Sequence, residues 1–445
     1  MNPFRPISIS FSPNTEPDDI KLAWRILFQP WRWQKGGEIQ KLEEKFKEYL
    51  QVKYAFSFNS GRSSLLAILK SLDISKQEEV LLQAFTCNAA VNPILWQKLN
   101  PVFVDIDESL NLDPKDLERK IAHSTSSGQA SKIKAVIIQH TFGYPAKIEE
   151  IKNICQKYNL FLIEDCAHSL GAEYKSKKGG LPAEASAKAG TFGDAAFFSF
   201  GRDKIISSVF GGMVVTNNDK LAQKIKEFRK KIDYPSNSWI FQQLLHPISF
   251  AWCLPIYSCL NIGKGILYLK QKFKILSPSV YQEEKEGKKP FYFPQKMPNA
   301  LAALALNQFK KLERFNRHRK EIAKIYNREF SWMKVRICAN KDTEPIYMRY
   351  PIFVKNVYPV RNQGFLNGAK EIRQKLKKEN IFVDDGWHTL PVVPPDTDLQ
   401  KMNYIRGKCP RAEGVAQTIL NLPTNINISK NDAQKIINIL SRFIR

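Results

Sequence analysis

A lysine between two apolar runs carries the clearest chemical signal in the sequence. Lys204 follows the apolar run 195–200, which is typical of a buried strand of a parallel sheet, and precedes Gly211, Gly212 and the apolar run 213–216. Ser199 lies five residues before the lysine. A desolvated lysine can lose its proton and form a Schiff base with an aldehyde cofactor. A solvated loop lysine is the alternative for this stretch alone.

A second polar cluster ends another apolar run. Residues 163–168 read IEDCAH, with two acids, Glu164 and Asp165, and a histidine, His168. A carboxylate at the end of a buried strand must be paired, and a protonated pyridine nitrogen is a suitable partner. A structural salt bridge or a helix cap is the alternative.

A third candidate is the turn at residues 59–64, which reads NSGRSS. It joins a predicted strand to a predicted helix, and free N–H groups at a helix N-terminus bind phosphate. Gly61 is its one glycine, so the turn is neither a GxGxxG nor a Walker loop. An ordinary N-cap is the alternative.

Short strands and helices alternate around these clusters. The patterns predict strands at 55–58, 79–83, 101–105, 135–140 and 160–165, and helices at 38–50, 65–72, 89–99 and 148–158. This order indicates an α/β fold, a mostly parallel sheet covered by helices on both faces. Ligands of such sheets bind at the carboxyl ends of the strands, where the polar clusters fall.

The chain divides into three predicted parts. Residues 1–36 form an N-terminal arm, 37–290 a large domain, and 291–445 a long helix followed by a smaller C-terminal α/β domain. The long helix is predicted as one continuous element over 298–330. Three stretches rich in small residues, 124–131, 179–190 and 360–368, are predicted to be surface loops without function.

Residues 234–263 contain no Asp, Glu, Lys or Arg, and basic residues flank them. Pro247 and Pro255 predict a broken helical hairpin within an apolar excursion, 234–270. Its Trp and Tyr residues and the flanking lysines suit the surface of an anionic membrane. The alternative is a helical pair buried against the long helix or in a subunit interface.

Composition narrows the classes of partner. The net charge of +25 favours anionic partners, but no motif interleaves aromatic and basic residues, so nucleic acid is not expected. Seven scattered cysteines without a CxxC pair indicate reduced thiols and no zinc site in a cytoplasmic protein. The first residues lack the apolar stretch of a secretory signal.

From about residue 37 onward the chain resembles the DegT/StrS family of sugar aminotransferases, which are fold-type-I enzymes that use pyridoxal 5′-phosphate (PLP). The resemblance is carried by motifs in the family's order and spacing: Asn59-Ser60-Gly61, the run 101–107 (PVFVDID), the run 163–168, Gly193-Asp194, and 198–200 leading to Lys204 and Gly211-Gly212.

The resemblance implies a role for each candidate. Lys204 would hold the cofactor as a Schiff base and then shuttle the proton. Asp165 would pair with the pyridine nitrogen, and His168 would contact the ring's 3-oxygen. Ser199 would bind the phosphate together with Gly61, Arg62 and Ser63.

Three positions depart from the family's pattern. Arg62 replaces a Thr, which adds a positive charge beside the phosphate. Cys87 stands where an aromatic residue usually stacks on the cofactor ring. Pro294 stands where the neighbouring subunit often donates an Asn.

The implied activity is transfer of an amino group from an amino acid, glutamate, to a nucleotide-linked keto-sugar in cell-surface polysaccharide or amino-sugar biosynthesis. A homodimer in the cytoplasm is expected, with the 234–270 excursion a candidate contact with the inner face of the membrane. Sugar dehydratases of the same fold have a histidine in place of the Schiff-base lysine, and Lys204 argues against that reaction. A non-catalytic regulatory or scaffold protein that keeps the fold is the other alternative, supported by Cys87 and Pro294.

Overall fold

The structure is a computed structural model that describes residues 4–125, 132–175, 187–332, 336–337, 343–354 and 368–443. Most of the three predicted surface loops lies outside these ranges. The strands are β1 Ile7–Ser8, β2 Tyr54–Phe58, β3 Glu79–Gln83, β4 Thr86–Cys87, β5 Asn100–Val104, β6 Ile133–Gln139, β7 Phe161–Asp165, β8 Glu173–Tyr174, β9 Ala187–Lys188, β10 Ala195–Ser199, β11 Gly212–Thr216, β12 Arg336–Ile337, β13 Thr343–Glu344, β14 Arg349–Phe353, β15 Ile381–Phe382, β16 Val392–Val393 and β17 Ile419–Pro423.

The helices follow the predicted alternation with the strands. They are α1 Pro17–Leu27, α2 Glu38–Leu50, α3 Gly61–Ser71, α4 Asn88–Trp96, α5 Pro114–Thr125, α6 Ile148–Lys157, α7 Asp219–Lys230, α8 Asn237–Cys253, α9 Ile262–Lys272, α10 Gln282–Lys285, α11 Asn299–Phe309, α12 Leu312–Trp332, α13 Gly368–Lys378, α14 Pro410–Thr418 and α15 Lys430–Leu440.

A seven-stranded sheet forms the centre of the molecule, in the order β2-β11-β10-β7-β6-β3-β5. Strand β11 pairs antiparallel with both β10 and β2, and the other neighbours are parallel. The predicted mostly parallel sheet is confirmed. In register, Asp165 lies opposite Phe197 of β10 and Gln139 of β6, so the carboxyl ends of these strands meet at one edge.

Both faces of the sheet are buried, as the near-continuous apolar strands require. Neighbouring residues of one strand point to opposite faces. Leu82 and Ile137 belong to the larger core, whereas Leu81 and Val136 pack with Leu117 of α5 in a second core on the other face.

The last third of the chain has a core of its own. Strands β12, β14 and β17 form a three-stranded antiparallel sheet. Its apolar face packs with α12, α13 and α15 around Tyr326, Tyr350 and Ile436. This core lies in the part of the chain predicted to form the smaller domain.

The N-terminal arm contains a helix that the sequence analysis missed. Helix α1 begins with Pro17 at its first turn and carries Asp18 and Asp19 there, where acids suit the helix dipole. Strand β1 of the same arm pairs with β15. The arm therefore ties the N-terminus to the C-terminal third of the chain.

The predicted single helix over 298–330 is wrong, because the segment forms two helices, α11 and α12. The break falls at Lys310 and Lys311, and the ammonium group of Lys311 there binds Asp18 and Asp19 of α1, each at 2.8 Å. No Gly or Pro marks this break. A prediction from the spacing of apolar residues therefore has no local signal for a break between α11 and α12.

The predicted helical hairpin is present as α8 and α9, but only one of its two prolines breaks a helix. Pro255 lies in the short 3₁₀ turn Leu254–Ile256 that follows α8. Pro247 lies inside α8, which continues through it. Within the described residues, no helix combines the length and the apolar character that crossing a bilayer needs.

Candidate active site

Lys204 lies at the edge of the sheet where β10 ends, on a loop with a fixed backbone. Its N–H donates to the carbonyl of Gly201 at 3.1 Å. The side-chain amide of Asn14 donates to the carbonyls of Lys204 and Ile205, and buried Arg319 also donates to Ile205. The arm and α12 thus hold the loop from outside, and the lysine side chain, 17% exposed, points towards β7 and its neighbours.

His168 is the nearest partner of that lysine. Its Nε2 lies 2.9 Å from Nζ of Lys204. The ring is stacked on Phe142 and meets Trp387 edge-on, which fixes its plane. Burial, with the positive charges of Lys204 and Arg349, holds the pKa of His168 well below its usual range. The imidazole is therefore neutral at physiological pH.

The second ring nitrogen identifies the tautomer. Nδ1 of His168 accepts a hydrogen bond from the N–H of Phe142 at 3.3 Å. A neutral imidazole carries one proton, so it lies on Nε2 and faces Nζ of Lys204. This contact is a hydrogen bond only when the lysine presents its lone pair, which is also the form that attacks an aldehyde.

The two acids at the end of β7 have different surroundings. Glu164 is fully buried; its carboxylate contacts Nε2 of His140 at 3.1 Å and accepts from the N–H groups of Gly190, Phe192 and Gly193. Burial alone raises a carboxyl pKa, but His140 and these N–H groups hold the pKa of Glu164 below its usual value. Glu164 is thus an internally satisfied structural acid.

Asp165 points to the other side of the strand, towards the lysine. Its Oδ1 accepts one hydrogen bond, from the N–H of Ala167 at 3.0 Å. Burial raises the pKa of Asp165 to about 6, against the opposing effects of that N–H and of the charge on Lys204. A buried carboxylate with so little compensation is suited to a cationic partner. Of the two acids, Asp165 is the one that can face a ligand.

The N-terminus of α3 packs tightly against the end of β10. A Cβ added to Gly61 would lie 3.0 Å from Cβ of Ser199, and one added to Gly212 would lie 2.5 Å from the backbone of Ser60. Glycine at both positions allows this close approach. The hydroxyl of Ser199 therefore lies beside the free N–H groups of the first turn of α3, an arrangement that binds phosphate.

Ser63 does not present its hydroxyl to that site. The group is fully buried, donates to Oδ1 of Asn59 at 2.6 Å and accepts from Ser60 at 3.0 Å. Its N–H donates to the side chain of Ser60, which caps the helix. Asn59 and Ser60 occupy the polar groups of Ser63, so the residue braces the turn, and its contact with a phosphate stays a prediction.

Arg62 is held by a partner that the sequence analysis did not consider. Its Nε lies 2.5 Å from Oε2 of Glu284, a fully buried carboxylate of α10, and its Nη2 donates to the carbonyl of Ser279. The guanidinium also lies over the ring of Phe293. Burial raises the pKa of Glu284, although the charge on Arg62 opposes this. The segment after α9 thus folds over the start of α3.

Cys87 lies at the end of β4, next to this cluster. Burial raises the pKa of its thiol, against the charges of Arg62 and Lys204. The aromatic side chains nearby pack on one another: Phe85 meets Phe142 and Trp387 edge-on. Cys87 thus lies near Arg62 and Lys204, and Phe85 is engaged in the core; the position of Cys87 against the cofactor ring stays a prediction.

Arg349 is the functional candidate that the sequence analysis passed over. It is buried at the start of β14, 2.5 Å from Oδ2 of Asp203 and 2.9 Å from Oδ2 of Asp385. Burial raises the pKa of Asp203, but the positive charges of Lys204 and Arg349 lower it by more. The pKa of Asp203 therefore lies below its usual value. The signal was a lone arginine within an otherwise apolar strand. Arg349 links the C-terminal sheet to the residue before the lysine.

Pro294 lies in a loop bound to its own chain. The side-chain amide of Asn59 donates to the carbonyl of Tyr292 at 2.7 Å, and the N–H of Asn59 donates to the carbonyl of Gln295. The loop thus runs alongside the turn that begins α3.

These groups fit PLP as a set. They comprise a lysine amine, a neutral histidine, an under-compensated buried carboxylate, and a helix N-terminus beside a serine hydroxyl. They match the aldehyde, the ring oxygen, the basic ring nitrogen and the phosphate of that cofactor. The fold and this set define the class as a fold-type-I PLP-dependent transferase.

Comparison with known proteins gives the family. Residues 14–233 and 270–441 match the DegT/DnrJ/EryC1/StrS aminotransferase family, and the chain belongs to it. The chain is 31% identical to the uncharacterized protein MJ1066 of Methanocaldococcus jannaschii, over all of this chain and 97% of that protein. It is 28% identical to GDP-perosamine synthase of Escherichia coli O157:H7, over 97% of each chain.

Solved structures agree on the fold. The aminotransferase PseC of Helicobacter pylori superposes with a TM-score of 0.69 over 99% of each chain at 22% identity. A DegT/DnrJ/EryC1/StrS aminotransferase from Brucella abortus gives 0.71 over 96% of this chain and 95% of that one. The predicted family, the fold-type-I architecture and the PLP-dependent aminotransferase activity are confirmed.

Proposed function

We propose that this aminotransferase moves an amino group from an amino acid, glutamate, to a keto-sugar carried on a nucleotide. The product would serve cell-surface polysaccharide or amino-sugar biosynthesis. The observation that carries the proposal is the 2.9 Å contact between Nζ of Lys204 and Nε2 of His168 beside the buried carboxylate of Asp165. Relatives named GDP-perosamine synthase and dTDP-3-amino-3,6-dideoxy-alpha-D-galactopyranose transaminase support the substrate class.

When bound, PLP supplies an aldehyde and an electron-accepting ring, which hold the amino group between the two half-reactions. We assign the proton transfers to Nζ of Lys204, the one side-chain amine at the sheet edge next to His168 among the described residues. His168 orients that amine through its Nε2 proton. Asp165 would pair with the pyridine nitrogen and favour its protonated form.

The phosphate site in this proposal consists of the hydroxyl of Ser199 and the free N–H groups of Gly61 and Arg62. The guanidinium of Arg62 adds a positive charge near them while bound to Glu284. The net charge of +25 also suits an anionic nucleotide-linked substrate.

The proposal also includes the oligomeric state and the cellular location of the protein. We infer a cytoplasmic homodimer, and the loop that carries Pro294 and the exposed Phe291 is available for a contact between subunits. The regulatory or scaffold alternative is disfavoured because Lys204, His168 and Asp165 meet at one edge of the sheet.

The test is turnover with a panel of nucleotide-linked keto-sugars and glutamate, with product mass and release of 2-oxoglutarate as readouts. An aminated sugar from the wild-type protein, and none from Lys204→Ala, is expected. If borohydride fixes PLP to Lys204 but no panel member is aminated, the aminotransferase needs a different acceptor. The proposed substrate class is then wrong.

A further inference from the structure

The hairpin formed by α8 and α9 is set apart from the shared catalytic part of the chain. The family match stops at residue 233 and resumes at residue 270, so residues 234–269 lie outside it. They also contribute none of the groups around Lys204. A function specific to this chain is therefore to be sought on the surface of this hairpin.

The first half of the hairpin is an anchor. Trp239, Ile240 and Leu244 of α8 are buried in the main core. Further along, Phe250, Cys253 and Tyr257 pack with Leu267 of α9 in a small separate core. Helix α8 is therefore buried against the rest of the protein, as one of the two predicted alternatives has it. The small core around Leu267 holds α9 on the outer side of α8.

Helix α9 presents an apolar stripe to solvent. Ile262, Ile266, Leu269 and Phe273 are spaced at i, i+4, i+7 and i+11, so they share one face of the helix. Their exposed fractions lie between 36% and 69%. The buried residues Gly263 and Leu267 lie on a different face, towards the protein.

Two more large apolar side chains are exposed near the turn of the hairpin. Trp252 is 70% exposed and Leu260 is 88% exposed. Isolated exposed apolar residues are ordinary, but a stripe joined by an exposed Trp and Leu on one hairpin marks a contact surface.

The hairpin and the segment after it carry charges of one sign. Between Asp233 and Glu283 the sequence has no acid, while Lys264, Lys270, Lys272 and Lys274 all lie on or just after α9. On a helical wheel Lys270 and Lys272 flank the apolar stripe on its two sides. This is the pattern of an amphipathic helix that lies in the interface of an anionic bilayer.

We propose that the α8–α9 hairpin docks this aminotransferase onto an anionic lipid bilayer. The face of α9 with Ile262, Ile266, Leu269 and Phe273 enters the headgroup boundary, and Lys272, at the edge of the stripe, contacts lipid phosphates. The ammonium group of Lys270, at the other edge, donates to the hydroxyl of Ser249. A second copy is a poorer occupant, because a two-fold contact through this face would bring its lysines against their own copies.

Flotation of the full-length protein with vesicles tests the proposal. Vesicles of phosphatidylcholine mixed equally with phosphatidylglycerol are compared with vesicles of phosphatidylcholine alone, at low and high salt. The protein is expected to float with the anionic vesicles at low salt, and less at high salt. The proposal is overturned if the protein floats equally well with vesicles of phosphatidylcholine alone. It is also overturned if the protein floats with neither kind of vesicle.

Variants identify the surface. Leu269→Ser with Phe273→Ser is expected to lower the partition coefficient about tenfold, and Lys272→Gln about fivefold, as for one lysine near an anionic surface. The matched controls are Ile405→Ser, at a residue 65% exposed elsewhere, and Lys408→Gln. Equal flotation of stripe and control variants overturns the proposal.

Two further readouts keep the result interpretable. Circular dichroism and thermal unfolding show whether each variant is folded; the stripe is exposed, so little change is expected. Light scattering shows whether the stripe variants change the oligomeric mass, which would assign the face to a second copy and contradict lipid docking. None of these readouts depends on aminotransferase activity, so failure of the proposed substrate leaves this test intact.

Discussion

Nζ of Lys204 and Nε2 of His168 lie 2.9 Å apart, and the same imidazole accepts the N–H of Phe142 through Nδ1. The two contacts together place the ring proton on Nε2, facing Nζ of Lys204. The histidine ring is held by Phe142 and Trp387, so the amine is oriented by a rigid group. The site is organised around this pair in a way that a strand-end lysine alone would not reveal.

Lys204→Ala is expected to lower turnover by about 10³-fold or more, because both the amine that holds the cofactor and the group that moves the proton are lost. The second measurement is peptide mapping after borohydride treatment with PLP, in which the lysine peptide of the wild type should carry the cofactor. The control is Lys264→Ala, at an exposed lysine of α9. A variant that still turns over would move the role to another amine.

Asp165→Asn is expected to abolish most of the activity and yet stabilise the protein without cofactor. Its pKa is raised by burial to about 6 from an ordinary value of 3.8, so the native state binds the proton more tightly than the unfolded state. The carboxylate therefore costs stability as pH rises from about 4 to 6, and the full cost, on the order of 3 kcal/mol, is present above that range.

Urea unfolding of the cofactor-free proteins measures this. The advantage of the Asn variant over wild type should grow by about 1 kcal/mol between roughly pH 5 and 7.5. For Glu164→Gln the difference from wild type should change little over this range, because the pKa of Glu164 is lowered from 4.5 and the stabilisation by its carboxylate is lost only at lower pH. A pH-independent difference for Asp165→Asn would contradict the assigned cause.

The sheet and the site edge could be predicted because the determining patterns are local. The apolar runs 79–83, 135–140, 160–165 and 195–200 predicted the strands, and the polar residues at or after their ends predicted the edge at which the site lies. Which of Glu164 and Asp165 faces the ligand follows from strand direction and from the N–H groups of Gly190 to Gly193, which come from a distant segment. The alternation of side chains along β7 shows only that Glu164 and Asp165 point to opposite faces of the sheet. Which of them faces the ligand is decided by the N–H groups that bind Glu164.

The missed residues share a physical reason. Arg349 and Glu284 reach the site from elements more than 75 residues away in the chain, and each looks ordinary in its local context. The same holds for the break between α11 and α12, where ion pairs of Lys311 with α1 accompany the turn. Ion pairs between residues far apart in the chain do not produce a repeating pattern in the sequence, so they cannot be predicted from a single sequence.

The pair formed by Arg62 and Glu284 is tested through Glu284. Burial raises the pKa of this carboxyl in spite of Arg62, so its charge costs stability overall, and Glu284→Gln should raise the unfolding free energy of the cofactor-free protein at neutral pH. Its PLP affinity should stay equal or rise, because a negative charge near the phosphate is removed. Fluorescence titration and urea unfolding give the two quantities.

Arg62→Met is the companion variant. It should bind PLP about tenfold more weakly, as expected for loss of one charge-assisted contact, while the affinity for pyridoxal, which lacks the phosphate, stays unchanged. Equal weakening for both ligands would mean that Arg62 supports the fold of the turn and does not act on the phosphate.

Cys87→Phe is expected to bind PLP about tenfold more tightly, because an aromatic ring at this position would stack on the cofactor. The native thiol is half-buried, and Phe85, which precedes β4, is engaged with Phe142 and Trp387, so the ring of Phe85 is not free to stack. Stopped-flow release of PLP should slow by the same factor. Cys87→Ser is the size-matched control and should resemble wild type. If Cys87→Phe unfolds at the wild-type urea concentration but binds PLP no better, Cys87 does not lie against the ring, and the predicted stacking position is wrong.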